Sequence, residues 1–322
     1  MINSILVPLD GSVITECVLP HAMAIAKAFN AVITLVHVLE QPSESLGLPK
    51  ADPLDWYLKK SASKLYLTKI QEQLRDNFVN SEVLLLEGNV TEQIVKQAHT
   101  MQTDLLILSS HCDEKPVMGG VSSNVQHILQ QVRISTLIIR ANNASAGLTG
   151  ELNYQRMLVP LDGSQRAGAA ITIATAFAEA YRSEILLVHV VTRPEMARHI
   201  PLTQEETALA DKILECNQEE GRKYLEQVRE QLHPACQTLL LVGDNVAATL
   251  QNLSEEEQID LLVLSAHGYS GEARWPYGNI TNRFITHGTT PLLIVQDLQP
   301  NASAHVRSNV ATQQPTRVTH VV

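Results

Sequence analysis

Ser265-Ala-His-Gly268 stands nine residues ahead of Gly278-Asn279-Ile280. Glycine just before a helix lets main-chain N–H groups approach a phosphate closely, and the helix N-terminus adds positive potential. An amide-lined loop of this kind is an anion nest. Arg274, inside the nine-residue stretch, is a further phosphate contact in principle, although a solvated loop arginine is the plainer role. The first half of the chain carries a related but altered stretch, Ser109-Ser-His-Cys112. There the later glycine position falls on Ser122 or Ser123, with Gly119 and Gly120 nearby but out of register. A Cβ at Cys112 is expected to obstruct the close backbone approach that phosphates require.

Other residues that could do chemistry have quieter roles. His37 and His189 repeat, as do His111 and His267. No carboxylate or cysteine accompanies them at metal-ligand spacing, so hydrogen-bonded structural histidines are expected and no metal site is assigned. Asp162-Gly-Ser164 offers a carboxylate and a hydroxyl but no nucleophile elbow and no matched histidine. Asp104 and Asp260 are expected to be turn or cap residues at the end opposite the nest. No stretch matches glycine, four residues, then Gly-Lys-Ser/Thr. With no positioned general base evident, no catalytic residue is assigned, and any hydrolysis of a bound phosphate compound is expected to be slow and incidental.

Positioning such groups falls to a duplicated set of elements. Ile5-Leu-Val-Pro-Leu-Asp-Gly-Ser12 returns as Met157-Leu-Val-Pro-Leu-Asp-Gly-Ser164, 152 positions later, which marks a tandem duplication. Each copy opens with a short apolar strand, a turn and a helix start. Val18, Ala22, Ile25, Ala26 and Phe29 keep helical spacing, and Ala170, Ala174, Phe177, Ala178 and Tyr181 hold the same phases. Continuous β-branched runs, 32–39 and 185–191, predict strands covered on both faces. Long helices are predicted over about 54–76 and 204–232, and third strands over 83–86 and 238–242. Shorter helices over about 91–101 and 246–257 precede fourth strands over 104–109 and 260–265. A further helix, beginning around Asn279 in the second copy, leads to fifth strands over 136–139 and 292–295. Alternating strands and helices require right-handed crossovers and a parallel sheet, so the fold class is α/β with two doubly wound five-stranded domains. A ligand site in such a domain lies outside the carboxyl ends of the strands. Small and polar residues 141–153 read as a linker, and residues 299–322, without periodicity, as a disordered tail.

Composition narrows the function classes. The chain has 322 residues, 44% of them hydrophobic but only 4% aromatic, enough for two aliphatic cores. Lys plus Arg number 24 against 34 Asp plus Glu, a formal charge of -10. An acidic chain without a basic cluster is poorly suited to nucleic acid or to anionic membranes. The four cysteines, Cys17, Cys112, Cys216 and Cys236, share no disulfide or zinc spacing, and no signal segment or membrane span is evident. A cytoplasmic protein with reduced thiols is expected.

In these motifs the chain resembles a tandem universal stress protein, over about residues 1–142 and 153–298. Nucleotide-binding members of that family carry a glycine, two residues, a glycine, nine residues, then glycine with serine or threonine. Ser265, Gly268, Gly278 and Asn279 occupy those positions, two matching and two departing. The resemblance implies a Rossmann-like, adenine-nucleotide-hydrolase-like fold and an ATP site in the second half, with or without Mg. It places Asp162, after Pro160, against the ribose and the backbone at Val190 against the adenine. The loop from Leu264 and Ser265 through Gly268 to Gly278, Asn279 and Ile280 would then wrap the phosphates. Asn279 can still donate a side-chain N–H and is a good N-cap. In the first half Pro8, Asp10 and Val38 keep the base and ribose side, while its altered loop reads as degenerate. The implied role is stress-response sensing or signalling, in which nucleotide biases a conformation or a surface for a protein partner. Two alternatives are an interaction protein with both sites lapsed and, less favoured, an adenylating enzyme. The latter would need an SGGxDS-type loop, which the Pro-Leu-Asp-Gly-Ser turns do not supply. Resemblance also implies an internal pseudo-dimer through the strand edges 138–140 and 294–296, and leaves a homodimer of chains open. A cleft plugged by Trp275 or Tyr277 would defeat the nucleotide assignment.

Overall fold

The computed structural model describes residues 2–40, 52–111, 120–141, 152–164, 166–194, 203–232, 236–268 and 276–296. Most of the predicted linker, the tail beyond residue 296, Cys112, Gly119, Arg274 and Trp275 lie outside the described residues.

In the first half, β1 (Ser4–Pro8), α1 (Val13–Glu16) and α2 (Leu19–Phe29) lead to β2 (Val32–Leu39) and the long α3 (Pro53–Asp76). β3 (Ser81–Glu87), α4 (Val90–Thr100), β4 (Leu105–Ser109), α5 (Ser123–Gln131) and β5 (Ser135–Ile139) complete it. The second half repeats the order: β6 (Arg156–Pro160), α6 (Ala167–Tyr181), β7 (Glu184–Val191), α7 (Gln204–Gln231) and β8 (Cys236–Val242). α8 (Val246–Glu256), β9 (Leu261–Ser265), α9 (Asn279–His287) and β10 (Leu292–Val295) follow. One departure between the halves has a local cause. Pro20 lies in the first turn of α2, where its missing N–H costs nothing, so the first half breaks its helix into α1 and α2. The α6 sequence has no proline and runs unbroken for 15 residues.

The ten strands form one sheet in the order β3-β2-β1-β4-β5-β10-β9-β6-β7-β8. Neighbours are parallel within each half, as expected of doubly wound domains. The halves join through one antiparallel pair, with Leu292 opposite Ile138, Leu293 opposite Leu137 and Ile294 opposite Thr136. Joining thus uses the last strands, but two residues earlier than the expected edges at 138–140 and 294–296. Arg140 and Gln296 lie just beyond the ends of β5 and β10, outside the ladder; Arg140 is engaged elsewhere. Its guanidinium donates to the carbonyls of Phe284 and Ile285, 2.6 and 3.2 Å away, at the C-terminal end of α9. Burial draws it down to about 10, so it stays charged at neutral pH and complements the helix dipole. Gly288 makes room: a Cβ there would stand 2.9 Å from Arg140 Nη2 and 2.7 Å from the Phe284 oxygen.

Helices α2, α3, α6 and α7 bury their apolar faces on one side of the sheet, and α4, α5, α8 and α9 on the other. On the first side an aromatic cluster spans the halves. Phe29 meets Phe177, and the fully buried Tyr154 meets Phe177, Tyr181 and His21. His21 Nδ1 is 2.7 Å from the Tyr154 hydroxyl, and burial holds this imidazole down at about 4. Asp104 and Asp260 are not turn or cap residues but sheet clamps. Each carboxylate accepts two main-chain N–H groups from the start of the neighbouring strand, at Asn3 and Ser4 or at Gln155 and Arg156.

Candidate functional site

β6 stands between β7 and β9, so chain connections leave its two sides in opposite directions. A crevice outside the carboxyl ends at such a switch point is where α/β sheets hold ligands. A cavity of about 1050 Å³ opens there. All nine candidate positions line it: Pro160, Asp162, Val190, Leu264, Ser265, Gly268, Gly278, Asn279 and Ile280. Its size matches the upper end of small-molecule pockets, roughly 300–1,000 Å³. Tyr277 forms part of the wall, 9% exposed, and leaves the cavity open.

Each wall follows from local sequence. The turn after β6 needs Gly163, whose φ is +80°, and the Ser164 N–H closes it onto Asp162 Oδ1 at 3.0 Å. Asp162 Oδ2 then lies so close over Gly268 that a Cβ there would come within 2.4 Å of it. A side chain at position 268 would have to displace the Asp162 carboxylate. A Cβ on Gly278 would sit 3.5 Å from the Gly268 nitrogen, over the loop backbone. The two glycines, ten positions apart, thus face each other across one amide-rich rim. The Gly278 N–H donates to the Ala266 oxygen at 2.8 Å, which closes the loop.

Two sequence expectations change in detail. Gly278 is the N-cap of α9 and makes no side-chain cap, while Asn279 is the first helical residue. Asn279 therefore does not cap α9, and its carboxamide projects from the first turn on the cavity wall. The Ser265 side chain, a departure from the family's glycine, is turned back onto its own loop. Its hydroxyl donates to the His267 oxygen at 2.8 Å, and Thr281 Oγ1 donates to the Ser265 oxygen at 2.9 Å. Both bonds brace the loop from within.

The histidines that close the second strands are hydrogen-bonded. His189 Nδ1 is 2.7 Å from the Leu161 oxygen and His37 Nδ1 is 2.8 Å from the Leu9 oxygen. The His189 ring packs against Tyr224, and Gly221 in α7 admits it, since a Cβ there would stand 2.9 Å from His189 Cδ2. Burial and the nearby Asp162 charge push the Tyr224 phenol up, opposed by a hydrogen bond from the Gly163 main chain. His111 lies 2.9 Å from the Ser110 hydroxyl, and burial together with the Arg140 charge lowers it. Among the described residues no three His, Cys, Asp or Glu side chains are grouped to hold a metal ion.

The first half differs in what surrounds its aspartate. Asp10 Oδ1 accepts the Ser12 N–H at 2.7 Å and the Thr15 hydroxyl at 2.6 Å. Thr15 corresponds to Ala167, which has no hydroxyl to offer. Ser109 is buried and its Oγ lies 3.6 Å from Cys17 Sγ and 3.4 Å from the Ile14 oxygen. The register left open in sequence falls on Ser122. It caps α5, and its N–H donates to the Ser110 oxygen just as Gly278 donates to Ala266.

Sequence reasoning missed several contributors. Val246 and Leu250 of α8 line the cavity from the second half. Gln126, Leu129 and Gln130 line it from α5, in the other half. No local signal marks the α5 residues, because the β5–β10 pairing brings them there.

A family model described as the universal stress protein family matches residues 1–140 and again residues 153–296. The universal stress protein YxiE of Bacillus subtilis is 25% identical over 151 residues, covering 44% of this chain and 99% of its own length. The universal stress protein MJ0577 of Methanocaldococcus jannaschii is 23% identical over 154 residues, covering 44% and 95%. A universal stress protein structure from Archaeoglobus fulgidus superposes with a TM-score of 0.66 at 16% identity, covering 92% of this chain and 99% of that one. At that identity the likeness speaks for the fold. No helix among the described residues is long and apolar enough to cross a membrane. With two doubly wound halves on one sheet and a family match to each, the chain belongs to the universal stress protein family, which it carries twice in tandem.

Proposed function

We propose that the second half binds an adenine nucleotide, ATP in the first instance, and that the protein serves stress-response sensing rather than catalysis. The observation that carries this is the approach of Gly268 to Asp162 at the mouth of a nucleotide-sized cavity. Val188, Val190, Leu250 and Leu264 give the cavity an aliphatic side suited to a base. Asp162 offers a carboxylate to ribose hydroxyls, which are donors. Amides around Gly268, Gly278 and the start of α9 suit a polyphosphate, because a helix N-terminus carries about half a positive charge. Such a cluster of dipoles matters in a chain whose net charge is -10. Mg would travel with the phosphates, and no residue is assigned to it. In the first half the Asp10 carboxylate is already engaged by Thr15, which supports a lapsed site there.

Native mass spectrometry of the full chain at rising ATP concentration tests this function. A mass increment of one nucleotide, lost in Asp162→Ala, is expected. Absence of any increment at millimolar ATP would leave an interaction protein as the better account.

A further inference from the structure

We propose that α5 of the first half forms the outer wall of the second half's site and meets the ligand's anionic tail through Gln126 and Gln130. This rests on the nucleotide-binding function above and adds a specificity surface contributed by the half whose own site has lapsed.

The α5 residues that reach the cavity are spaced i, i+3 and i+4, which puts them on one helical face. Leu129 is 2% exposed and anchors that face in the core shared by both halves. Gln126 and Gln130 flank it and are exposed. Beyond the end of α5, Arg133 lies near enough to Tyr277 for its charge to bear on the phenol. Tyr277 lines the cavity, and its buried hydroxyl has no hydrogen-bond partner among the described residues. The opposite side of the cavity, around Val188 and Leu250, is aliphatic. Two carboxamides and a tyrosine therefore line the cavity beside the first turn of α9. That side suits anionic oxygens. The placement is also fixed rather than incidental, because Arg140 of the first half grips the far end of α9 and the β5–β10 ladder sets the register.

The test is titration of the full chain with ATP and with adenosine, comparing wild type with the double variant Gln126→Glu and Gln130→Glu. Both positions are solvent-exposed on α5, and circular dichroism checks that the variant keeps its fold. Two added carboxylates should weaken ATP roughly tenfold or more at low salt, less at high salt, and leave adenosine within twofold. The truncations Gln126→Ala and Gln130→Ala together should weaken ATP about three- to tenfold. ATP affinity within twofold of wild type in the glutamate variant overturns the inference while the nucleotide function stands. Equal losses for ATP and adenosine overturn the assignment to the anionic tail. Wild-type protein that binds neither ligand overturns both.

Discussion

The turns after β1 and β6 are spelled alike and fold alike, with Gly11 at φ +92° and Gly163 at φ +80°, yet their aspartates face different neighbours. Asp10 is held by the Thr15 hydroxyl five residues on. Asp162, in the turn before α6, has alanine at the position of Thr15 and covers Gly268 across the crevice. The duplicated motif therefore builds the same platform twice. Residues outside it decide what the platform can do, and here a hydroxyl in one half and a glycine in the other separate the two.

The sharpest way to break this contrast is at the glycine. Gly268→Val should remove ATP binding by at least about 1000-fold, or roughly 4 kcal/mol, because a branched side chain displaces the Asp162 carboxylate and blocks close approach of the phosphates to the loop amides. Cys112→Val, at the corresponding position of the first half, should leave ATP affinity unchanged in the same titration. Next comes the junction. Arg140→Met leaves buried carbonyls of α9 without their donor and should destabilise the chain by about 2–4 kcal/mol in urea unfolding. Gln296, its counterpart, has buried amide atoms with no hydrogen-bond partner among the described residues. Gln296→Met should be neutral or slightly stabilising.

A third contrast concerns acid. His21 and Tyr154 form a polar pair where the corresponding positions carry Ile173 and Ile2. Below its ordinary value of 6.5 the unfolded His21 takes up a proton that the folded one, held at about 4, refuses. Stability should therefore fall as pH drops from 6.5 to 4, by at most about 3 kcal/mol. The double variant His21→Ile with Tyr154→Phe should remove most of that loss between these limits, measured by thermal unfolding. A further contrast is expected in the long helices. Gly221→Ala puts a Cβ 2.8 Å from Leu240 and should cost about 1–3 kcal/mol, whereas Ser63→Ala in α3 should stay within about 0.5 kcal/mol.

Much of this architecture was legible in the sequence. β-branched runs such as 32–39 declare buried parallel strands because no polar face interrupts them, and the repeated Pro-Leu-Asp-Gly-Ser announces two copies. Spacing also sufficed to bring Asp162, Val190, Gly268 and Gly278 to one crevice, since strand ends in a doubly wound sheet must converge. What spacing could not convey were contacts fixed by tertiary register. Thr15 capturing Asp10 depends on which rotamer the hydroxyl adopts. The place of Gln126 and Gln130 depends on how β5 and β10 align. Asn279 was misplaced by one position for a related reason: Gly278 adopts the extended N-cap conformation itself, with φ -69° and ψ 165°.

Isothermal titration of the full chain with ATP tests the divergence of the two halves most directly. A stoichiometry near one nucleotide per chain, abolished by Gly268→Val, is the predicted result. Two nucleotides per chain, or one that survives Gly268→Val, would contradict it.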